Sequence, residues 1–192
     1  MDGHDAALLA TQLAMGFALA ACVGLRAFLP LLAAGLLARA GYLPLGHGFE
    51  WMAGTPALVV FGSAMLFEVA ADKVPGLDHA LHAVESFVKP AAGTLIAASL
   101  LTQVDPLTAV TLGLVAGGTV AGSVQLLRGG ARLASTTLTA GLANPLLSFM
   151  DDGLALAGVA FAFLLPVLAA LAVLALGLLA IHLVRRARRR TA

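Results

Sequence analysis

Long runs of apolar residues, separated by single charged positions, dominate the sequence. A helix that crosses about 30 Å of hydrocarbon needs about 20 mostly apolar residues, because each residue adds about 1.5 Å. The intervals between charges give seven candidate membrane segments: Ala6–Leu25, Ala27–Ala38, Trp51–Phe67 (extendable to Asp72), Pro90–Val104, Pro106–Leu127, Leu133–Met150 and Gly153–Val184. The pattern therefore predicts an all-α fold, a polytopic transmembrane helical bundle with short or broken helices.

The segments differ in length, and the differences carry information. Ala27–Ala38 has only 12 residues and includes Pro30, so at about 18 Å it cannot span alone and is expected to be a re-entrant or half helix. Leu133–Met150 is borderline, and whether it spans or re-enters stays open. The last run has 32 residues. It predicts either a tilted helix kinked at Pro166 or a short segment followed by a span over Val167–Val184.

Composition supports the membrane interpretation. The chain has 192 residues, of which 60% are hydrophobic and 11% are charged, whereas soluble domains have about 45–50% and about 25%. A water-soluble globular domain is therefore excluded. The single cysteine, Cys22, permits neither an intrachain disulfide nor a cysteine-based metal cluster. Five arginines fall between residues 185 and 190, and a basic tail after an apolar run orients a membrane protein rather than binding nucleic acid.

Charge placement predicts the topology. If every segment crosses once and the C-terminus is cytoplasmic, ten of the eleven basic residues lie inside and Arg39 is the exception, in agreement with the positive-inside rule. The prediction is a single transmembrane domain over residues 1–184, a cytoplasmic tail over 185–192 and an N-terminus outside. The acidic start of the chain favours a retained first helix over a signal peptide.

Two organisational patterns accompany the segments. Short, proline-bearing segments occupy corresponding places in residues 6–89 and 106–184, which is typical of an inverted repeat with broken helices; a plain helical bundle is the alternative. Small residues also recur four apart, at Gly113 and Gly117 and at Gly118 and Gly122. Such spacing allows close helix packing, either within the chain or across a homodimer.

The densest polar stretch runs from Phe67 to Pro90. Glu68 and Asp72 share a helix face, Lys73 follows, and Pro75-Gly76 breaks the helix. Beyond the break, a helix from about Leu77 would be amphipathic, with a polar stripe at Asp78, His82, Glu85 and Lys89.

Three interpretations of this stretch stay open. It is a solvated interfacial helix with paired charges, or an ion or proton pathway through Glu68 or Asp72, or a metal site on His79 and His82. The metal site lacks a third ligand fixed by the sequence.

Two further polar motifs interrupt apolar runs. Asn144-Pro145 disturbs helical pairing, and Ser148 and Asp152 follow one turn apart. They are read either as a cavity lining or as helix–helix hydrogen bonds ahead of an exposed acidic loop. Arg26 precedes the short second segment, where a snorkelling boundary arginine is the alternative to a binding role. We predict that Arg26 lies within ion-pair reach of Glu68 or Asp72 and fixes the short segment against the third helix.

These motifs also carry a resemblance. Gly-Leu-Arg-Ala-Phe-Leu-Pro at 24–30, the Ala-Asp-Lys-x-Pro-Gly-x-Asp-His core at 71–79, and Ala-Asn-Pro-Leu-Leu-Ser at 143–148 with its acidic pair resemble a bacterial membrane family catalogued as domain of unknown function 4126. The match covers most of the chain. It implies a bacterial inner-membrane protein and supplies no activity.

The sequence favours a small transporter or channel-like permease for an ion or a small polar or anionic solute. Its predicted pathway residues are Arg26, Glu68, Asp72, Lys73, Asp78, His79, Asn144, Ser148 and Asp152. The alternative is a non-transporting scaffold or lipid-binding protein whose interfacial helix and basic tail hold anionic lipid. No catalytic motif is readable; we expect no enzyme activity, no metal, no cofactor and no nucleic-acid partner.

Overall fold

The structure is a computed structural model that describes residues 3–72, 77–139 and 142–191. Side chains are described for all of these except residues 3, 77–83, 183–185 and 187–191. The described part of the chain contains seven helices and one 3-10 turn. The helices are α1 (Gly3–Leu25), α2 (Phe28–Arg39), α3 (Thr55–Ala71), α4 (Leu77–Ser99), α5 (Pro106–Thr139), α6 (Asn144–Leu164) and α7 (Pro166–Thr191), and the 3-10 turn is Glu50–Ala53. No strand occurs in these ranges, so the predicted all-α fold is confirmed.

Three helices are long and apolar enough to cross a bilayer: His4–Leu25 within α1, the whole of α5, and α6. The chain is a multi-pass membrane protein. α1 is the first predicted span, and it packs against α4, α5, α6 and α7. Leu19, Val23 and Ile96 are fully buried, so the core lies around the C-terminal half of α1 and the adjoining part of α4.

Proline explains why α1 and α2 are separate helices. The Arg26 N–H still donates to the Cys22 carbonyl, at 2.8 Å. A continuous helix would then require the carbonyl of Arg26 to face Pro30, whose ring lacks an N–H and clashes with that carbonyl. The helix therefore ends at Leu25, and α2 begins at Phe28. As predicted, α2 is a short helix of 12 residues.

Glycine allows α4 and α5 to touch through their backbones. α5 contains a π-helical turn, Gly113–Gly118, in which Gly113, Gly117 and Gly118 are buried. A Cβ atom at Gly113 would lie 2.6 Å from the carbonyl oxygen of Thr94, and one at Gly117 would overlap the carbonyl oxygen of Gly93. The predicted close packing at these glycines is thus a contact within the chain.

Two predicted boundaries around α4 and α5 are wrong. α4 is one helix that continues through Pro90, whereas the sequence predicts a helix from about Leu77 and a separate segment Pro90–Val104. Its stripe residues Glu85 and Lys89 are buried rather than solvated, because they face other charged helices. α5 likewise continues through Arg128 and Arg132, which fall between the predicted segments Pro106–Leu127 and Leu133–Met150.

Boundaries near α6 also differ from the prediction. The segment Leu133–Met150 is divided between the end of α5 and the start of α6. Asn144 and Pro145 begin α6, where the missing proline N–H costs nothing. Asp151 and Asp152 lie inside α6, not in an exposed loop. Pro166 begins α7 after the non-helical residue Leu165. The inverted repeat stays a prediction.

Candidate functional site

Charged side chains from five parts of the chain meet at one end of the bundle. The junction between α1 and α2, the last turn of α3, the first half of α4, the second half of α5 and the first half of α6 all contribute. We call the group the junction cluster; its members are Arg26, Glu68, Asp72, Glu85, Lys89, Arg128, Arg132, Ser148, Asp151 and Asp152. It brings together residues far apart in the sequence.

Asp72 is the centre of the cluster. Its side chain is 1% exposed and accepts hydrogen bonds from three guanidinium groups. Arg26 Nη2 and Arg128 Nη2 each donate to Oδ2 at 2.9 Å. Arg132 donates through both Nη atoms, at 2.7 Å each. The Ser148 hydroxyl adds a bond to the same carboxylate, at 2.8 Å.

The Arg132 contact is the planar, two-bond geometry in which arginine binds a carboxylate most strongly. Burial by itself would raise the pKa of the Asp72 carboxyl. The hydrogen bonds from Arg132 and Ser148 and the charge of Arg128 outweigh burial, and they hold that pKa well below its usual range. Asp72 is therefore ionised, and its negative charge compensates the positive charge of the surrounding arginines.

A second set of ion pairs extends the cluster along α4 and α6. Arg128 Nε donates to Asp151 at 2.6 Å, and its Nη1 donates to Glu85 at 3.3 Å. Lys89 Nζ lies 3.1 Å from the same Glu85 oxygen and donates to the Leu25 carbonyl at 3.2 Å. Lys89 therefore ties α4 to the end of α1 and neutralises charge at the same time.

Glu68 holds the start of α2. Its Oε1 accepts the backbone N–H of Ala27 at 2.9 Å, and its Oε2 accepts that of Phe28 at 3.4 Å. The first N–H groups of a helix have no partner within that helix, and a carboxylate there also complements the helix dipole. A side chain of α3 thus caps α2 from outside, which fixes the broken-helix junction.

Arg26 connects the end of α3 to α6. It pairs with Asp72 and with Asp152 on α6, and its Nη2 contacts Ser148 at 3.2 Å. The predicted pairing of Arg26 with Glu68 or Asp72 is confirmed. The guanidinium is 2% exposed, and among the described residues no partner is found for its Nε and Nη1.

The structure brings together five of the predicted pathway residues: Arg26, Glu68, Asp72, Ser148 and Asp152. Asn144 lies outside the cluster and donates to the Thr136 hydroxyl across the α5–α6 connection, at 3.0 Å. Lys73 and the side chains of Asp78 and His79 lie outside the described residues, as does that of His82. Within the described ranges no three His, Cys, Asp or Glu side chains form a metal-binding group.

The predicted pathway residues omit the other half of the cluster: Glu85, Lys89, Arg128, Arg132 and Asp151. Arg128 and Arg132 share a helix face at a spacing of four residues, as do Glu85 and Lys89. That spacing was the available signal. Segments that end at each charge place the two arginines between helices.

An apolar groove lies beside the cluster and is separate from it. Its volume is about 890 Å³, and its walls come from α1, α5, α6 and α7, with Cys22, Phe161 and Gly177 among the lining residues. No member of the junction cluster lines it. Its surface is suited to hydrocarbon rather than to a polar solute.

Comparison with known proteins shows the family. No curated protein and no solved structure matches the chain. One family model, described as Domain of unknown function (DUF4126), matches residues 13–186, a range that contains the whole junction cluster. The chain therefore belongs to the DUF4126 family of uncharacterised membrane proteins.

Proposed function

We propose that the protein is a small permease that moves an ion or a small polar or anionic solute through the junction cluster. The proposal rests on nine ionisable side chains that meet where α1 ends and α2 begins; seven of them are buried, and Asp151 and Asp152 are partly exposed. Buried ion pairs contribute little stability beyond apolar packing of the same volume. In membrane proteins, ionisable groups within the bundle mark ion and solute pathways.

The broken-helix geometry supports the same function. Transporters commonly place their sites where a helix is interrupted, because helix ends supply unpaired backbone groups and dipoles. Here the interruption lies at Arg26–Ala27, and Glu68 occupies the backbone donors of the second helix. In our proposal the conformation described is closed, with the pathway filled by ion pairs, and Asp72 must exchange arginine partners for a solute to pass.

The proposed orientation places the cluster and the C-terminus on the cytoplasmic side of a bacterial inner membrane and the N-terminus outside, since most basic residues then lie inside. The four glycines of α5 that could form a homodimer face, Gly113, Gly117, Gly118 and Gly122, all face α4 within the chain, so we propose no homodimer through them. We propose no catalytic role for the cluster.

A liposome flux screen tests the function. The purified full-length protein is reconstituted, and uptake of protons, sodium, chloride, phosphate and acetate is measured separately. We expect one probe to cross faster than in protein-free vesicles, and Arg132→Gln to abolish the difference. Arg39→Gln is the matched control, because Arg39 is exposed and bonds only to Thr55 among the described side chains. Flux of no probe through correctly folded protein would contradict the proposal.

The groove favours a second candidate, a lipid-binding protein without transport. An open apolar groove of this size suits the acyl chain of a phospholipid, and the arginines after residue 184 suit its anionic headgroup. Native mass spectrometry would measure retained phosphatidylglycerol. Gly177→Trp, which fills open groove space, should reduce retention, whereas Gly129→Trp, outside the groove and equally uncrowded, should not.

A further inference from the structure

Charge pairing within the cluster leaves one carboxylate over. The four cations form ion pairs with four acidic side chains: Arg26, Lys89, Arg128 and Arg132 with Asp72, Glu85, Asp151 and Asp152. Glu68 is the fifth carboxylate. It is 3% exposed, and within the described residues no Lys or Arg nitrogen lies within ion-pair distance of it.

The charged groups around Glu68 are already ion-paired with other residues. Lys89 and Glu85 face it from α4, and Arg26 faces it from the α1–α2 junction. Each of these three groups has an ion-pair partner of its own. Glu68 therefore gains or loses charge without the loss of any ion pair, unlike Asp72.

We propose that Glu68 is a proton-binding site and that the proton is the ion that drives or accompanies transport; this inference rests on the proposed function. A proton from water adds to Oε2, whose bond to the Phe28 N–H is the longer of the two. The donor is a hydronium ion, whose O–H bond breaks as the carboxyl O–H bond forms, which leaves water. The neutral carboxyl still accepts the Ala27 N–H through its carbonyl oxygen.

Protonation has a mechanical consequence at the junction. A carboxyl O–H is a donor, so it no longer accepts from Phe28 as a carboxylate does. The start of α2 also loses the negative charge that complements its dipole. Proton uptake at Glu68 thus weakens the attachment of α2 to α3, whereas proton release restores it.

Infrared spectroscopy of the purified full-length protein tests proton binding directly. Exposed carboxyls titrate near pH 4, so above about pH 6 a protonated-carboxyl C=O stretch reports only carboxyls in perturbed surroundings. Burial without a cationic partner favours the neutral form. We expect wild type to show this stretch at pH 6, to lose it at higher pH, and to retain the pH-dependent signal in Glu50→Gln. Glu50 is the matched control, since its side chain is 63% exposed.

Glu68→Gln should lose the signal entirely. Its absence from wild type, its persistence in folded Glu68→Gln, or its displacement by added sodium would overturn the inference. If Glu68→Gln does not fold, Glu68→Asp serves instead, and an unshifted signal in that variant would overturn the inference too. The spectrum requires no transport, so a Glu68-dependent signal in a protein without flux refutes the permease and leaves the proton site standing.

Discussion

Replacing Asp72 with asparagine removes one negative charge from the centre of three guanidinium groups while preserving the shape of the side chain. Breaking a buried ion pair by removing one partner costs about 3–5 kcal/mol, because a buried charge is left uncompensated. Asp72 is 1% exposed, so water cannot compensate the arginine charges in place of the lost carboxylate. Arg128 and Arg132 keep Asp151 nearby, at 2.6 and 3.6 Å. We therefore expect a loss near the lower limit, about 3 kcal/mol.

Thermal unfolding in detergent measures this loss. For a chain of this size, 1 kcal/mol corresponds to about 2–4 °C, so Asp72→Asn should lower Tm by about 6–12 °C. Glu50→Gln also removes one carboxylate, but from an exposed position, and it should leave Tm nearly unchanged. The double variant Asp72→Asn/Arg132→Gln should lose less than the sum of the single losses, with a coupling of about 0.5–3 kcal/mol.

The same variant gives a test by pH. Because the folded pKa of Asp72 is depressed, its contribution is complete above its ordinary pKa of about 4 and is lost as pH falls toward the folded value. The Tm difference between wild type and Asp72→Asn should therefore be constant from neutral pH to about pH 5 and shrink below about pH 4. Equal Tm values at pH 7, or additive losses in the double variant, would refute the central role of Asp72.

Two further predictions concern packing between helices. Lys89→Met should lower the free energy of unfolding by about 3 kcal/mol, because Glu85 loses a cation and the Leu25 carbonyl loses its donor. Chemical denaturation measures this loss, and a loss no larger than that of Arg39→Met would count against the prediction. Gly117→Ala should destabilise the protein by about 1–3 kcal/mol, because the new Cβ meets Gly93. Gly129→Ala has open space around it and should stabilise the protein by up to about 1 kcal/mol. The reverse order of Tm values would show that the α4–α5 contact is misplaced.

Hydropathy predicted the parts of the fold that depend on a single segment. α1 is long and mostly apolar, and α2 is a separate helix because Pro30 follows Arg26 by four residues. Both properties are local, so one stretch of sequence contains the whole cause. The all-α class and the short second helix were predictable for this reason.

Charged residues caused the errors because their partners are distant. Arg128 is tolerable inside a helix only since Asp72, Glu85 and Asp151 surround it. If a predicted segment ends at each charged residue, Arg128 falls in a loop, because its distant partners are not considered. The polar half of α4 was misread for the same reason: its stripe faces charged helices rather than water. Glu68 and Asp72 were found because their helix-face spacing is itself local.

The span of sequence within the cluster has a consequence for biosynthesis. Arg26 contacts Asp72 across 46 residues and Ser148 across 122. At about 5–20 residues per second, the ribosome needs roughly 6–24 seconds to supply the second of these partners. During the first roughly 2–9 seconds of that interval the nascent chain contains an arginine between two hydrophobic helices while its counter-charge Asp72 is not yet made. Such a chain needs water or lipid phosphate at the α1–α2 junction while it waits, which favours entry of this end of the bundle into the membrane last.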